Sequence, residues 1–136
     1  LKSLFSNCRT LPNIDISNIQ TDSVITMNGI FYGCAEFTEL DLSHWDTSNC
    51  TNFYGAFNKC TKLQKVNLAG WDTSKGNDLG YMFNYCSSLK ELDLSDWDVS
   101  NVTVFEDLFW ECRSLKSLDL SNNNKLIQLS ANGNEL

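Results

Sequence analysis

The chain has 136 residues, 42% of them hydrophobic and 12% aromatic, which excludes a wholly disordered polypeptide and fits one domain with a continuous core. Seventeen acidic against ten basic residues give a net charge of −7, which argues against nucleic-acid and anionic-membrane partners. No apolar run approaches the ~20 residues needed to span a bilayer, so no membrane insertion is expected.

Taken from the N-terminus, Leu1, Leu4, Phe5 and Cys8 match only the second half of a unit that then repeats along the chain. Cys8, Cys34, Cys60, Cys86 and Cys112 are each 26 residues apart, as are Phe5, Phe31, Phe57, Phe83 and Phe109. Ile14, Leu40, Val66, Leu92 and Leu118 keep the same step, and so do Ile16, Leu42, Leu68, Leu94 and Leu120. Trp45, Trp71 and Trp97 share the register, with Ile19 one unit earlier and Asn123 one later.

Within the unit that runs from Leu89 to Arg113, Leu92 and Leu94 alternate with Glu91, Asp93 and Ser95, the period of a strand with one buried face. The polar WDVSN stretch follows as a turn in which Asp98 and Ser100 cap backbone N–H groups. Val102, Phe105, Leu108, Phe109 and Cys112 then form the inward stripe of a short helix capped by Ser100 or Asn101. Such a unit cannot bury its strand face and its stripe alone, but stacked copies can. The predicted class is therefore α/β: a right-handed leucine-rich repeat solenoid over residues 1–121, of about five coils with the first incomplete. Its parallel β-sheet is expected on the concave side and its short helices on the convex side. From Leu120 to Leu129 the apolar step shortens, so residues 122–136 are expected to form a C-terminal capping hairpin or a tail. The incomplete first coil is expected of a piece of a larger polypeptide.

The segments FYGC, LDLSHWDTSN, MFNYCSSLKELDLSDWDVSNVT and FWECRSLKSLDLS resemble the BspA-like leucine-rich repeat surface proteins. The likeness covers about residues 1–121. Cys50 and Gly76 stand where Val24 and Val102 are apolar, Phe53 and Leu79 where methionine is usual, and Ile19 where tryptophan is. The resemblance implies an extracellular, cell-surface location and adhesion to a host or cell-surface protein or glycoprotein. It brings no catalytic residues.

Catalysis finds no support in the residues either. His44 is the only histidine, and no nucleophile–base pair or phosphate-binding glycine loop is present. No cofactor is expected. The cysteine column reads most simply as buried thiols, with bridges between neighbouring coils as the alternative. No C-x₂₋₄-C spacing supports a metal site, and Cys50, at the start of the expected helix, is the thiol expected to be accessible. Trp45, Trp71 and Trp97 are expected to stack inside, and Asp46, Asp72 and Asp98 to cap turns. The expected partner-binding surface is the outward strand face: Asp15, Glu39, Asp41, Lys65, Asn67, Glu91, Asp93 and Asp119. Like charges there repel in register, which points to a functional use such as a basic partner, with a repetitive surface that simply stays solvated as the alternative. Tyr32, Tyr54, Tyr81, Tyr85 and Trp110 form a second candidate, an aromatic patch on the convex side, with packing of some of them between adjacent helices as the alternative. Asn49-Cys50-Thr51 and Asn101-Val102-Thr103 have the form of glycosylation sequons, which repetition alone explains. A non-catalytic binding module is the expected function, with a structural spacer that projects another domain as the alternative.

Overall fold

The computed structural model describes residues 1–12 and 14–119; the expected cap or tail over 122–136, and Leu120 and Asn123 of the columns, lie outside them. Among the described residues there are four strands: β1 (Glu39–Asp41), β2 (Lys65–Asn67), β3 (Glu91–Asp93) and β4 (Ser117–Asp119). In each, the central apolar residue turns inward while the first is exposed, as the alternation dictates. Strand β1 pairs in parallel with β2, Leu40 opposite Val66, and β3 with β4, Leu92 opposite Leu118. Every pair is 26 residues apart, so the repeat seen in the sequence is the register of the stack. A second line of parallel bridges joins Thr26, Asn52, Asp78 and Val104 on another side of the coils.

The α/β solenoid is not what forms. There is no helix among the described residues, and the strands make two separate two-stranded sheets instead of one concave sheet. The stretch expected to be helical is a run of turns. In the third coil, Phe53, Gly55, Phe57 and Lys59 donate their N–H groups across to the carbonyls of Asp78, Gly80, Met82 and Asn84 at 2.8–2.9 Å. The intervening Ala56, Asn58 and Cys60 donate back to Phe53, Gly55 and Phe57, three residues earlier. A helix would have sent each of these to the carbonyl four residues back.

Spacing explains the choice. The Phe5, Phe31, Phe57, Phe83 and Phe109 rings stack nearly parallel at 5.3–5.7 Å between centroids. Paired strands sit about 4.7–4.9 Å apart, whereas packed helices need about 8–10 Å. The coils are thus close enough on the turn side to bond backbone to backbone, which leaves no room for helices.

Two columns of left-handed backbone make these turns. Ser3, Gly29, Gly55, Tyr81 and Asp107 form one, and Asn7, Gly33, Lys59, Tyr85 and Glu111 the other, with φ between +50 and +70°. Glycine adopts this conformation without strain, while other residues lose roughly 1–2 kcal/mol. At Gly55 an added Cβ would meet nothing closer than the Asn58 Cβ at 3.7 Å. Gly55→Ala is therefore expected to destabilise the chain by about 1–2 kcal/mol through φ alone. Denaturant melts check this, and an unchanged midpoint would contradict the turn geometry.

The core is one continuous cluster from Ile16 to Phe109. Where the fourth coil has Gly76 in place of an apolar side chain, Phe53 of the third coil fills the space: a Cβ at Gly76 would stand 3.1 Å from the Phe53 ring. Trp71 and Trp97 stack in parallel at 6.3 Å, and Trp71 Nε1 donates to the Leu42 carbonyl at 2.9 Å. Trp45 departs from its column. The carbonyl one coil earlier that matches Leu42 is Ile16, and His44 Nε2 holds it at 3.1 Å. Trp45 stacks on Phe31 instead, at 5.8 Å.

All six cysteines are free, and Cys50 is fully buried rather than accessible. Each thiol in the main column after Cys8 donates to a phenylalanine carbonyl one coil back. Cys34 bonds Phe5, Cys60 bonds Phe31, Cys86 bonds Phe57 and Cys112 bonds Phe83, at 2.8–3.2 Å. Cysteine serves this position because it is small and apolar yet still carries a donor for a buried carbonyl.

Candidate functional site

The strand face gathers the predicted residues into two open troughs. One, of about 450 Å³, spans three coils: Lys65 and Asn67 from β2, Glu91 and Asp93 from β3, Ser117 and Asp119 from β4, around Val66 and Leu92. The other, of about 310 Å³, is lined by Asp15, Glu39 and Asp41 together with His44 and the apolar Ile14, Ile16 and Leu40. The eight predicted residues are thus divided between two neighbouring sites.

The aspartates on this face have a local task. Asp41 Oδ1 accepts the Ser43 amide at 3.0 Å and its hydroxyl at 2.7 Å, and Asp15 does the same with Ser17. Asp93 accepts the Ser95 amide at 2.9 Å, and Asn67 that of Ala69 at 3.2 Å. These serine hydrogen bonds hold the carboxyls of Asp15, Asp41 and Asp93 below the usual aspartate value. Their column is explained by turn capping, which sequence reasoning recognised for Asp46, Asp72 and Asp98 but missed here. The D-x-S spacing at all three was the available signal. Asp46, Asp72 and Asp98 do accept the amides of Ser48, Ser74 and Ser100, each at 2.9 Å.

Glu39, Lys65 and Glu91 differ. They are exposed and take part in neither Lys62–Glu36 nor Arg113–Glu111, the two ion pairs among the described residues.

The aromatic residues lie on the turn side. Tyr54, Tyr85 and Trp110 are exposed, and Tyr32 and Tyr81 half-buried. They do not form one patch of rings. Tyr54 and Tyr81 meet at 5.4 Å between centroids, while Tyr32 lies under the Lys59 ammonium at 5.5 Å. Tyr85 and Trp110 are adjacent through a backbone bond, Tyr85 N–H to the Trp110 carbonyl at 2.8 Å.

The two sequons carry internal bonds: Asn49 Nδ2 donates to the Asp22 carbonyl at 2.9 Å and Asn101 Nδ2 to that of Ser74 at 2.7 Å. Among the described residues no cluster of His, Cys, Asp and Glu is arranged to hold a metal ion, and no helix is long and apolar enough to cross a membrane.

Stacked coils with open troughs and exposed rings define a repeat protein that offers open surfaces. The chain belongs to the DUF285 family, described as Mycoplasma protein of unknown function, which matches residues 1–123. No curated protein and no solved structure matches it.

Proposed function

We propose that the chain is a non-catalytic protein-binding module of a cell-surface or secreted protein, and that a partner docks on the strand face and its rim. The observation that carries this reading is the larger trough, where Lys65 and Glu91 stand exposed beside an apolar floor and enter no ion pair among the described residues. Side chains that perform no internal task are the ones available to a partner. The resemblance to BspA-like surface proteins supports adhesion to a host or cell-surface protein or glycoprotein.

Glu39→Lys with Glu91→Lys tests it, because neither side chain caps a turn. Binding to immobilised matrix proteins and mucins is expected to weaken at least about ten-fold against the unaltered chain. Undiminished binding by the folded double variant would remove this face from consideration.

A second reading, a spacer that projects another domain, is favoured by the turn-capping role of Asp15, Asp41 and Asp93, which gives the acidic column a use without any partner. Failure of the unaltered chain to bind any of these surfaces would favour the spacer.

A further inference from the structure

The turn side holds a second, independent arrangement around Tyr54 and Tyr81. Their rings contact at 5.4 Å with a 52° tilt, and Tyr54 is 37% exposed. The fold makes room for this pair in two ways. Position 80 is glycine, where a Cβ would lie 3.3 Å from the Tyr54 ring and 3.1 Å from Val104 Cγ1, so a larger residue would displace the ring. Tyr81 occupies a left-handed turn position, with φ of +57°, that Gly29 and Gly55 fill without strain in the coils before it. Strained backbone positions cluster at functional sites, and here the strained residue carries one of the two rings.

The charge beside the pair is negative. Glu106 stands against Tyr81, its carbonyl accepting the Tyr81 N–H at 2.8 Å and its carboxylate the Tyr81 hydroxyl, and the Asp107 carboxylate follows it. Elsewhere on this side the molecule already shows how such a ring is satisfied: Lys59 Nζ sits over Tyr32 at 5.5 Å. Aromatic faces attract lysine and arginine in this manner, and nearby carboxylates strengthen the attraction.

We propose that Tyr54 and Tyr81, with Glu106 and Asp107, form a binding site for a lysine or arginine side chain presented by a basic polypeptide segment. The site does not depend on the strand face, so either can fail alone.

Fluorescence anisotropy of a labelled octa-arginine peptide reads it directly. Tyr54→Ser with Tyr81→Gly is expected to weaken binding about ten-fold, as the loss of two exposed cation–π contacts implies. Glycine suits the φ of position 81, so the fold is retained. Should that variant nevertheless melt, Glu106→Gln, an exposed and isosteric change, gives the same readout through a several-fold loss. Asp96→Asn, an exposed change on the strand side outside both proposed surfaces, should leave this binding within about two-fold. No binding by the unaltered chain would overturn the proposal. So would a loss confined to the Asp96→Asn variant, or rings that bind a neutral oligosaccharide while ignoring the peptide.

Discussion

Phe83→Ala is expected to lower the free energy of unfolding by about 3–5 kcal/mol, the usual cost of deleting a buried aromatic side chain. Phe83 is fully buried, and its ring is stacked on both sides, at 5.3 Å from Phe57 and 5.7 Å from Phe109. Removing it opens a gap in a column that neighbouring coils, tied by cross-coil hydrogen bonds at Phe83 N–H and Phe57 N–H, cannot close. Phe5→Ala is expected to cost clearly less. Phe5 is half-buried and has a single ring neighbour, Phe31 at 5.3 Å. In a stack, stability is carried by interfaces between adjacent coils, and among the described residues the coil of Phe5 meets one neighbour where that of Phe83 meets two. Denaturant melts of the two variants measure the difference; equal losses would contradict the stacked arrangement.

The thiols give the second large effect. Burial pushes Cys34 and Cys112 up to about 11, and it raises Cys60 and Cys86 further. Only the thiolate reacts, so at pH 8 a shift from 9 to 11 slows alkylation about 100-fold before access is considered. Iodoacetamide is therefore expected to modify half-buried Cys8 first in the native chain, and all six cysteines after denaturation. Rapid native labelling of Cys60 or Cys86 would contradict their burial and their bonds to Phe31 and Phe57. The same shifts have a consequence for stability. A thiol whose folded value is raised disfavours ionisation, so its contribution is complete below the unfolded value of 9.0 and is lost as pH rises toward about 11. Melting temperature is expected to fall across that interval.

Much of this stack is readable in the residues. The 26-residue columns of Phe, Cys and Leu are the register of the strands, and the outward positions do line the two troughs. What misleads is the apolar stripe of Phe105, Leu108, Phe109 and Cys112. The left-handed residues Asp107 and Glu111 are four apart, so successive turns bring apolar side chains inward at nearly the helical interval. Periodicity alone cannot separate the two. Gly29, Gly33 and Gly55 could have done so, since glycine is costly inside a helix and three of them fall in the same two columns. The aspartates were misjudged for a related reason: repulsion between Asp41 and its neighbours was weighed, whereas the serine two residues later was not.

A two-dimensional nuclear Overhauser spectrum tests the central claim most directly. Coils stacked in register without helices predict cross-peaks between the Phe31, Phe57 and Phe83 rings, which lie 26 residues apart in sequence and 5.3–5.6 Å apart in space. They also predict no continuous run of sequential amide contacts over residues 102–112. Such a helical run, with the phenylalanine rings out of reach of one another, would contradict it.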